Sequence, residues 1–198
     1  MPKILTTIGP ITASKKEYLD YCIKKSGIIR FNMSHNDINW HKKKIDYIKK
    51  IDSKKLVLTD IPGAKPRTLN NKILNIKKGQ ELIFGYKPKN IKKIIPISNP
   101  LPKVIKKKLK FFSISDGIYL FKFINFKNGL IKGKSMQSFS LYPKKGLNIP
   151  YSIYDDKFQS KIYSNFLKKI SRIKNDCIGL SFIQNSSVVK NLKKKISK

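Results

Sequence analysis

The chain has 198 residues, room for one domain or a domain with an insertion, and its 40% apolar and 11% aromatic content excludes wholesale disorder. Its net charge is +33, yet only Arg30, Arg67 and Arg172 of the 44 basic residues are arginine. The lysines run diffusely along the chain and form no stripe with interleaved aromatics; this argues for compositional drift in an AT-rich genome over a dedicated nucleic-acid binder, while still predicting salt-sensitive, non-specific nucleic-acid binding.

In chain order, Lys3–Ile8 reads as a buried strand stopped by Gly9-Pro10. Ser14 with Glu17 predicts a capping box and a helix to about Ser26, ended by Gly27. Ile28–Asn32 is the second strand. A second helix is expected from about Ile38, with Ile38, His41, Ile45, Ile48 and Ile51 near one face. Leu56–Asp60 is the third strand, broken by Ile61-Pro62-Gly63. This βαβαβ order implies parallel pairing.

From Leu69 to about Ile149 the pattern changes to short apolar runs between turns, with Pro88, Pro96, Pro100 and Pro102. Phe111–Ile114 and Ile118–Phe126 flank Asp116-Gly117 as a hairpin, and Asn128-Gly129 marks another. After Pro150 the βα rhythm returns. Asp155 and Asp156 open a helix on which Phe158, Ile162, Phe166, Lys169 and Ile170 recur. Cys177–Ile183 reads as a fourth buried strand, and Ser187 as the cap of a last helix to about Ile196.

The expected fold class is α/β: an incomplete TIM-type (β/α) barrel of about four βα units, with an inserted all-β, barrel-like domain. Residues 1–68 and 150–198 form the barrel part and 69–149 the insert. Four units cannot close an eight-stranded barrel, so two strand edges and an apolar face call for a second chain or a homo-oligomer. Cys22 and Cys177 lack metal-ligand spacing and read as core thiols. Met1-Pro2-Lys3 leads directly into a strand with no signal peptide, and no apolar run approaches membrane-spanning length. No membrane contact is expected, and the cytoplasm is the default compartment.

The chemistry-bearing stretches fall where strands end, which is where parallel α/β folds build their sites. They are Arg30-Phe31-Asn32-Met33-Ser34-His35 and Asp60-Ile61-Pro62-Gly63-Ala64-Lys65-Pro66-Arg67-Thr68. Arg30 and Arg67 offer planar forks for phosphate oxygens, and Asn32, Ser34 and Asp60 offer oxygens to a hard cation. Alone, Arg30 beside Asp60 would read first as a structural ion pair; the two stretches together favour a phosphoryl-transfer site.

These stretches resemble the pyruvate kinase family. So do Ile8-Gly9-Pro10, Ser115-Asp116-Gly117, Lys144-Lys145-Gly146-Leu147-Asn148-Ile149-Pro150 and Ser181-Phe182-Ile183, in the same order and across essentially the whole chain. The resemblance implies phosphoryl transfer from phosphoenolpyruvate to ADP, giving pyruvate and ATP in glycolysis, with Mg2+ and K+ as cofactors. It implies that Arg30 holds the transferring phosphoryl. Asn32, Ser34, Asp60 and the carbonyl of Ile61 would line the monovalent-cation site. Asn32, Met33, Ser34, His35, Arg67 and Lys145 would face the nucleotide, Lys145 from a β module acting as a lid that excludes water.

Several positions depart from the family pattern. Asn36 stands for the usual Gly, Ser115 for an Asp and Gln184 for an Arg, while Ala64 and Pro66 change the loop after the third strand. Ile61 with Lys65 resembles the potassium-independent branch, in which the ammonium supplies the charge an ion otherwise brings; Lys65 reads equally as one more lysine in a lysine-rich chain. The family's enolate-stabilising Lys and the Glu and Asp that bind Mg2+ are expected beyond Lys198, so this chain holds no divalent-metal ligands. Glu17 and Glu81 are its only glutamates. Three readings follow: a split or truncated pyruvate kinase inactive alone, a non-catalytic phosphate- or nucleotide-binding remnant, and, last, a basic nucleic-acid-associated protein.

Overall fold

The computed structural model describes residues 3–88, 94–104 and 107–196, with side chains to residue 194. Met1 and Pro2, at the expected leaderless start, lie outside the described residues. The chain divides into two compact units, residues 1–63 with 157–198, and residues 64–156. The second unit thus takes in residues 64–68 and 150–156. Thr68 is tied to it by hydrogen bonds with Lys144 and Lys145, and Ser152 pairs with Val104.

The first unit alternates strand and helix: β1 (Leu5–Thr7), α1 (Pro10–Ser14), α2 (Lys16–Lys25), β2 (Ile28–Asn32), α3 (Ile38–Ile51) and β3 (Leu56–Ile61). After the second unit come α4 (Asp156–Ile170), β14 (Cys177–Leu180) and α5 (Ser186–Ile196). The sheet order is β1-β2-β3-β14, and every pairing is parallel. The period of two decides what each strand face does. Ile29 and Phe31 of β2, with Val57 and Ile61 of β3, are buried in one core with Leu19, Ile23, Ile45, Ile48, Tyr163 and Ile170. Each such fully buried side chain contributes about 1.5–3 kcal/mol of transfer free energy. Arg30, Asn32 and Asp60 alternate with them and so project from the opposite face.

Local capping departs from the sequence expectation in three places. Ser14 does not open a helix: Pro10 starts α1, the Ser14 hydroxyl donates back to Ile11, and extended Lys15 separates α1 from α2. Asn185, not Ser187, caps α5, its side-chain oxygen accepting from the Ser187 amide. Asp37, unmarked in the sequence reading, caps α3 by accepting from the amides of Asn39 and Trp40. The expected buried strands at either edge are shorter. Ile4, Leu5, Phe182 and Ile183 are exposed because β1 and β14 each have a neighbour on one side only, and Ile51, expected on the apolar face of α3, is exposed at that helix's last position. Cys22 and Cys177 are free thiols, half-buried where core positions were expected.

Among its described residues the second unit is built of strands: β4 (Leu74–Ile76), β5 (Glu81–Tyr86), β6 (Ile95–Ile97), β7 (Lys103–Val104), β8 (Phe111–Ile114), β9 (Tyr119–Lys127), β10 (Leu130–Ser135), β11 (Phe139–Leu141), β12 (Leu147–Asn148) and β13 (Ser152–Ile153). Its main sheet runs β12-β8-β9-β10-β5-β6, with the pairs β11-β4 and β13-β7 beside it. Both expected hairpins form. Asn128 and Gly129 each have positive φ, 51° and 71°, the turn whose twist matches its flanking strands. Phe84, Phe112 and Phe121 are the aromatic centre of this unit's core, Phe112 stacked on Phe121 at 5.1 Å. Among the described residues no helix is long and apolar enough to cross a membrane.

Candidate functional site

In the first unit, the C-terminal ends of all four parallel strands contribute to one polar network. Arg30 donates from Nε to Asp60 Oδ2 at 3.1 Å, from Nη2 to the same oxygen at 2.5 Å, and from Nη1 to the Thr7 hydroxyl at 2.8 Å. Asp60 Oδ1 accepts from the Ser181 hydroxyl at 3.0 Å. The side chains of Arg30 and Asp60 are 27% and 17% exposed, so the pair is largely but not wholly withdrawn from water. A guanidinium has five N–H donors; these contacts occupy three, and the other two have no hydrogen-bond partner among the described residues.

The chain beyond β2 turns sharply. Asn32 accepts the Ser34 amide on its side chain and the His35 amide on its carbonyl, and Met33 donates its amide to the Asp60 carbonyl. Asn36 adopts φ 59°, a left-handed conformation that Asn tolerates better than most residues in place of Gly. Ser34 and His35 are exposed, whereas the Met33 side chain is buried in the core, so only the backbone of Met33 faces outward. The side chain of Ile61 is fully buried and its carbonyl accepts the Ser181 amide. After β3 the backbone passes Gly63, where an added Cβ would lie 2.5 Å from the Ser181 carbonyl oxygen, so this passage admits no side chain. Ser181 is also held by Tyr163, whose hydroxyl donates to its carbonyl.

Arg67, Lys65 and Lys145 belong to the second unit. Lys65 Nζ meets Asp116 Oδ1 at 2.7 Å, the lysine side chain 14% exposed and the aspartate 86%. The Lys65 stem crosses Gly146, where a Cβ would lie 2.7 Å from its Cε. Arg67 Nη1 donates to the Lys144 carbonyl at 3.2 Å, and the Lys145 amide donates to the Thr68 hydroxyl at 3.1 Å. The hydrogen bond and charge of Lys65, with weaker fields from Arg67 and Lys145, hold the Asp116 carboxyl below its ordinary range. Asp116 sits in a turn with Ser115 and Gly117, all three at positive φ.

Within the first unit the structure joins Arg30 to Asp60 in the ion pair expected of Arg30 taken alone, and the Asn32–His35 turn follows at the end of the same strand. It adds Thr7 and Ser181 to that pair and, separately within the second unit, Asp116 to Lys65; none of the three was expected as a site residue. Thr7 and Ser181 stand at strand ends next to Ile8-Gly9-Pro10 and Phe182-Ile183, so the strand-end rule applied to every strand would have marked them.

The chain matches the family model described as pyruvate kinase, barrel domain, over residues 1–198. Pyruvate kinase of Thermotoga maritima is 27% identical over 206 aligned residues, covering 99% of this chain and 44% of that protein. Pyruvate kinase of Thermococcus litoralis is 26% identical over 75% of this chain and 33% of its own length, and that of Staphylococcus saprophyticus 31% over 75% and 27%. This chain thus spans less than half the length of these relatives. In fold it is similar to the crystal structures of pyruvate kinase from Cryptosporidium parvum, at TM-score 0.74 and 24% identity, and Pyrobaculum aerophilum, at TM-score 0.72 and 18% identity. Each comparison covers 98% of this chain and 42% or 45% of the other. The chain belongs to the pyruvate kinase family.

Proposed function

We propose that these residues form the phosphoryl-gripping part of a pyruvate kinase-like phosphotransferase acting between phosphoenolpyruvate and ADP in the cytoplasm. In that reaction the bond from phosphorus to the enolate oxygen breaks and a new one forms to the terminal oxygen of ADP; the enolate then takes a proton to give pyruvate. The single observation that carries the reading is the Arg30 guanidinium, aimed by Asp60 and Thr7 with donors to spare. A fixed fork of this kind stabilises charge on a transferring phosphoryl without having to reorganise as the reaction proceeds. The Asn32–His35 turn, Arg67 and Lys145 are proposed to face the nucleotide, and residues 64–156 to act as a lid that excludes water. The barrel is proposed to be incomplete within this chain and completed by a second chain or another copy.

The oxygens of Asn32, Ser34, Asp60 and the Ile61 carbonyl are a hard donor set that suits K+ and would supply charge balance beside the phosphoryl. The Asp60 pairing with Arg30 and the Lys65 pairing with Asp116 leave potassium independence through Lys65 as a proposal to be tested by omitting K+. The described residues do not fit Mg2+. No three His, Cys, Asp or Glu side chains gather, Glu17 lies in the first turn of α2 and Glu81 pairs with Lys132. No step is assigned to Mg2+ on these residues, and the 198 residues are proposed not to turn over by themselves.

Calorimetry on the purified chain tests the reading. Phosphoenolpyruvate should bind, and Arg30→Ala should lower its affinity at least tenfold, as loss of a charge-assisted hydrogen bond implies. Unchanged affinity would remove Arg30 from the site. Pyruvate formed by this chain alone with ADP and Mg2+ would refute inactivity. Binding without turnover, even beside a chain supplying the remaining strands, would favour the non-catalytic remnant.

A further inference from the structure

His41, on α3, belongs to no polar group described above. It is 2% exposed, and its ring packs edge-on against Phe31 at 5.7 Å and Trp40 at 5.0 Å. Its Nε2 lies 2.6 Å from the backbone carbonyl oxygen of His35. A carbonyl only accepts, so Nε2 must carry the proton. Nδ1 is buried with no partner among the described residues. A bare acceptor there is costly, but an unpaired N–H donor carrying positive charge would be costlier, so the ring is neutral with its proton on Nε2.

The carbonyl it grips ends the turn that begins at Asn32. Within that turn the internal bonds are the Ser34 amide to the Asn32 side chain and the His35 amide to the Asn32 carbonyl, while the Met33 amide ties its near end to Asp60 of β3. His35 and Ser34 are exposed and Asn36 is left-handed, so little apolar packing restrains the far end. We infer that His41 is a positioning residue: from inside the core its Nε2–H fixes the His35 carbonyl and with it the geometry of the Asn32–His35 turn. The inference deepens the proposed function, since it assigns the nucleotide-facing turn a rigid anchor in the core, and for that part it rests on that reading.

Nitrogen NMR of the full chain decides the first point without any variant. Signals of a ring protonated at Nε2 and bare at Nδ1 are expected for His41; the opposite tautomer cannot donate to His35 and would overturn the inference. His41→Phe keeps an aromatic ring and removes the donor, while His41→Gln can return an N–H. Hydrogen exchange at the Ser34 and His35 amides should speed up about tenfold in His41→Phe and recover in His41→Gln, with ADP affinity following the same order and phosphoenolpyruvate affinity unchanged. Equal exchange in wild type and both variants would overturn the inference. If wild type binds no ADP, the nucleotide reading of the turn fails, and the tautomer and exchange results still decide the role of His41. If His41→Phe does not fold, the tautomer and the exchange of His41→Gln decide it.

Discussion

Two ion pairs to an aspartate involve the candidate site residues, Arg30–Asp60 in the first unit and Lys65–Asp116 in the second, and they are built differently. Arg30–Asp60 joins strand ends from within a parallel sheet; both oxygens of the aspartate are engaged, and Thr7 and Ser181 lock the partners from either side. Lys65–Asp116 joins a withdrawn ammonium to a carboxylate on an exposed turn. A planar fork held at three points has one orientation, whereas an ammonium on a flexible stem can let go of an exposed carboxylate at small cost. The same two charges therefore make a fixed instrument in one unit and a releasable clasp in the other.

Removing the acid from the first pair should do the most damage. Asp60→Ala strips Arg30 of two bonds and Ser181 of one, leaving a half-buried guanidinium with Thr7 alone. Urea unfolding should show a loss of about 2 kcal/mol, and phosphoenolpyruvate affinity should fall as Arg30 loses its aim. Asp60→Asn should fall between Ala and wild type, because one oxygen can still accept. A loss below about 0.5 kcal/mol in Asp60→Ala would show that the pair is no better fixed than an ordinary surface ion pair.

Gly63→Ala attacks the same network through the backbone. The new Cβ would meet the Ser181 carbonyl at 2.5 Å and the Phe182 side chain at 2.8 Å, and backbone cannot swing aside as a side-chain tip can. Overpacking of this kind costs about 1–3 kcal/mol, and it should shift Ser181 away from Asp60. Thermal melting combined with phosphoenolpyruvate titration checks both effects; a variant as stable and as tight-binding as wild type would show that the passage yields freely.

The βαβαβ order of Lys3–Ile8, Ile28–Asn32 and Leu56–Asp60 with the helices between them, and the Gly and Pro residues that punctuate it, made the parallel sheet legible in the sequence. The strand-end rule then located Arg30 and Asp60. Thr7 and Ser181 could have been marked by the same rule as strand-end residues, but not their partners, because a hydroxyl residue's role here comes from strands brought together across 23 and 121 positions. Helix starts were misread where one polar residue could cap in more than one way. The Ser14 hydroxyl turns back to Ile11, and Asn185 takes the place expected of Ser187. Edge burial was overestimated for Ile4, Leu5 and Ile183, since an apolar run reads the same in a central strand and at a sheet edge.

Acid should separate the two units' polar elements by pH. Burial, the largest influence on His41, lowers its pKa from the ordinary 6.5, while the His35 carbonyl and Asp37 partly offset it. A histidine with a depressed folded pKa takes up its proton more readily unfolded. Its contribution to stability is thus intact above about 6.5 and is lost as pH falls through the lower folded value. Melting temperature of wild type should drop between pH 7.5 and pH 5, and His41→Gln should flatten part of that drop. An equal drop in both would mean that the buried ring does not resist protonation.

The smallest effect belongs to the second pair. Asp116→Ala removes a carboxylate that is 86% exposed, so the folded state should lose only about 0.2–1 kcal/mol, and less in high salt. The pKa of Asp116 is lowered, chiefly by the Lys65 hydrogen bond, so its stabilisation is present above the ordinary 3.8 and is lost as pH falls through the lower folded value. Between pH 7 and pH 5 wild type and Asp116→Ala should therefore melt a constant small interval apart, the range in which His41 makes wild type and His41→Gln converge or part. Double-mutant cycles with Lys65→Met measure the pair directly: a coupling near zero at 1 M salt that grows as salt is removed fits a clasp resting on charge alone. A coupling of about 2 kcal/mol that ignores salt would give the second unit a fixed pair as well and erase the distinction between the two.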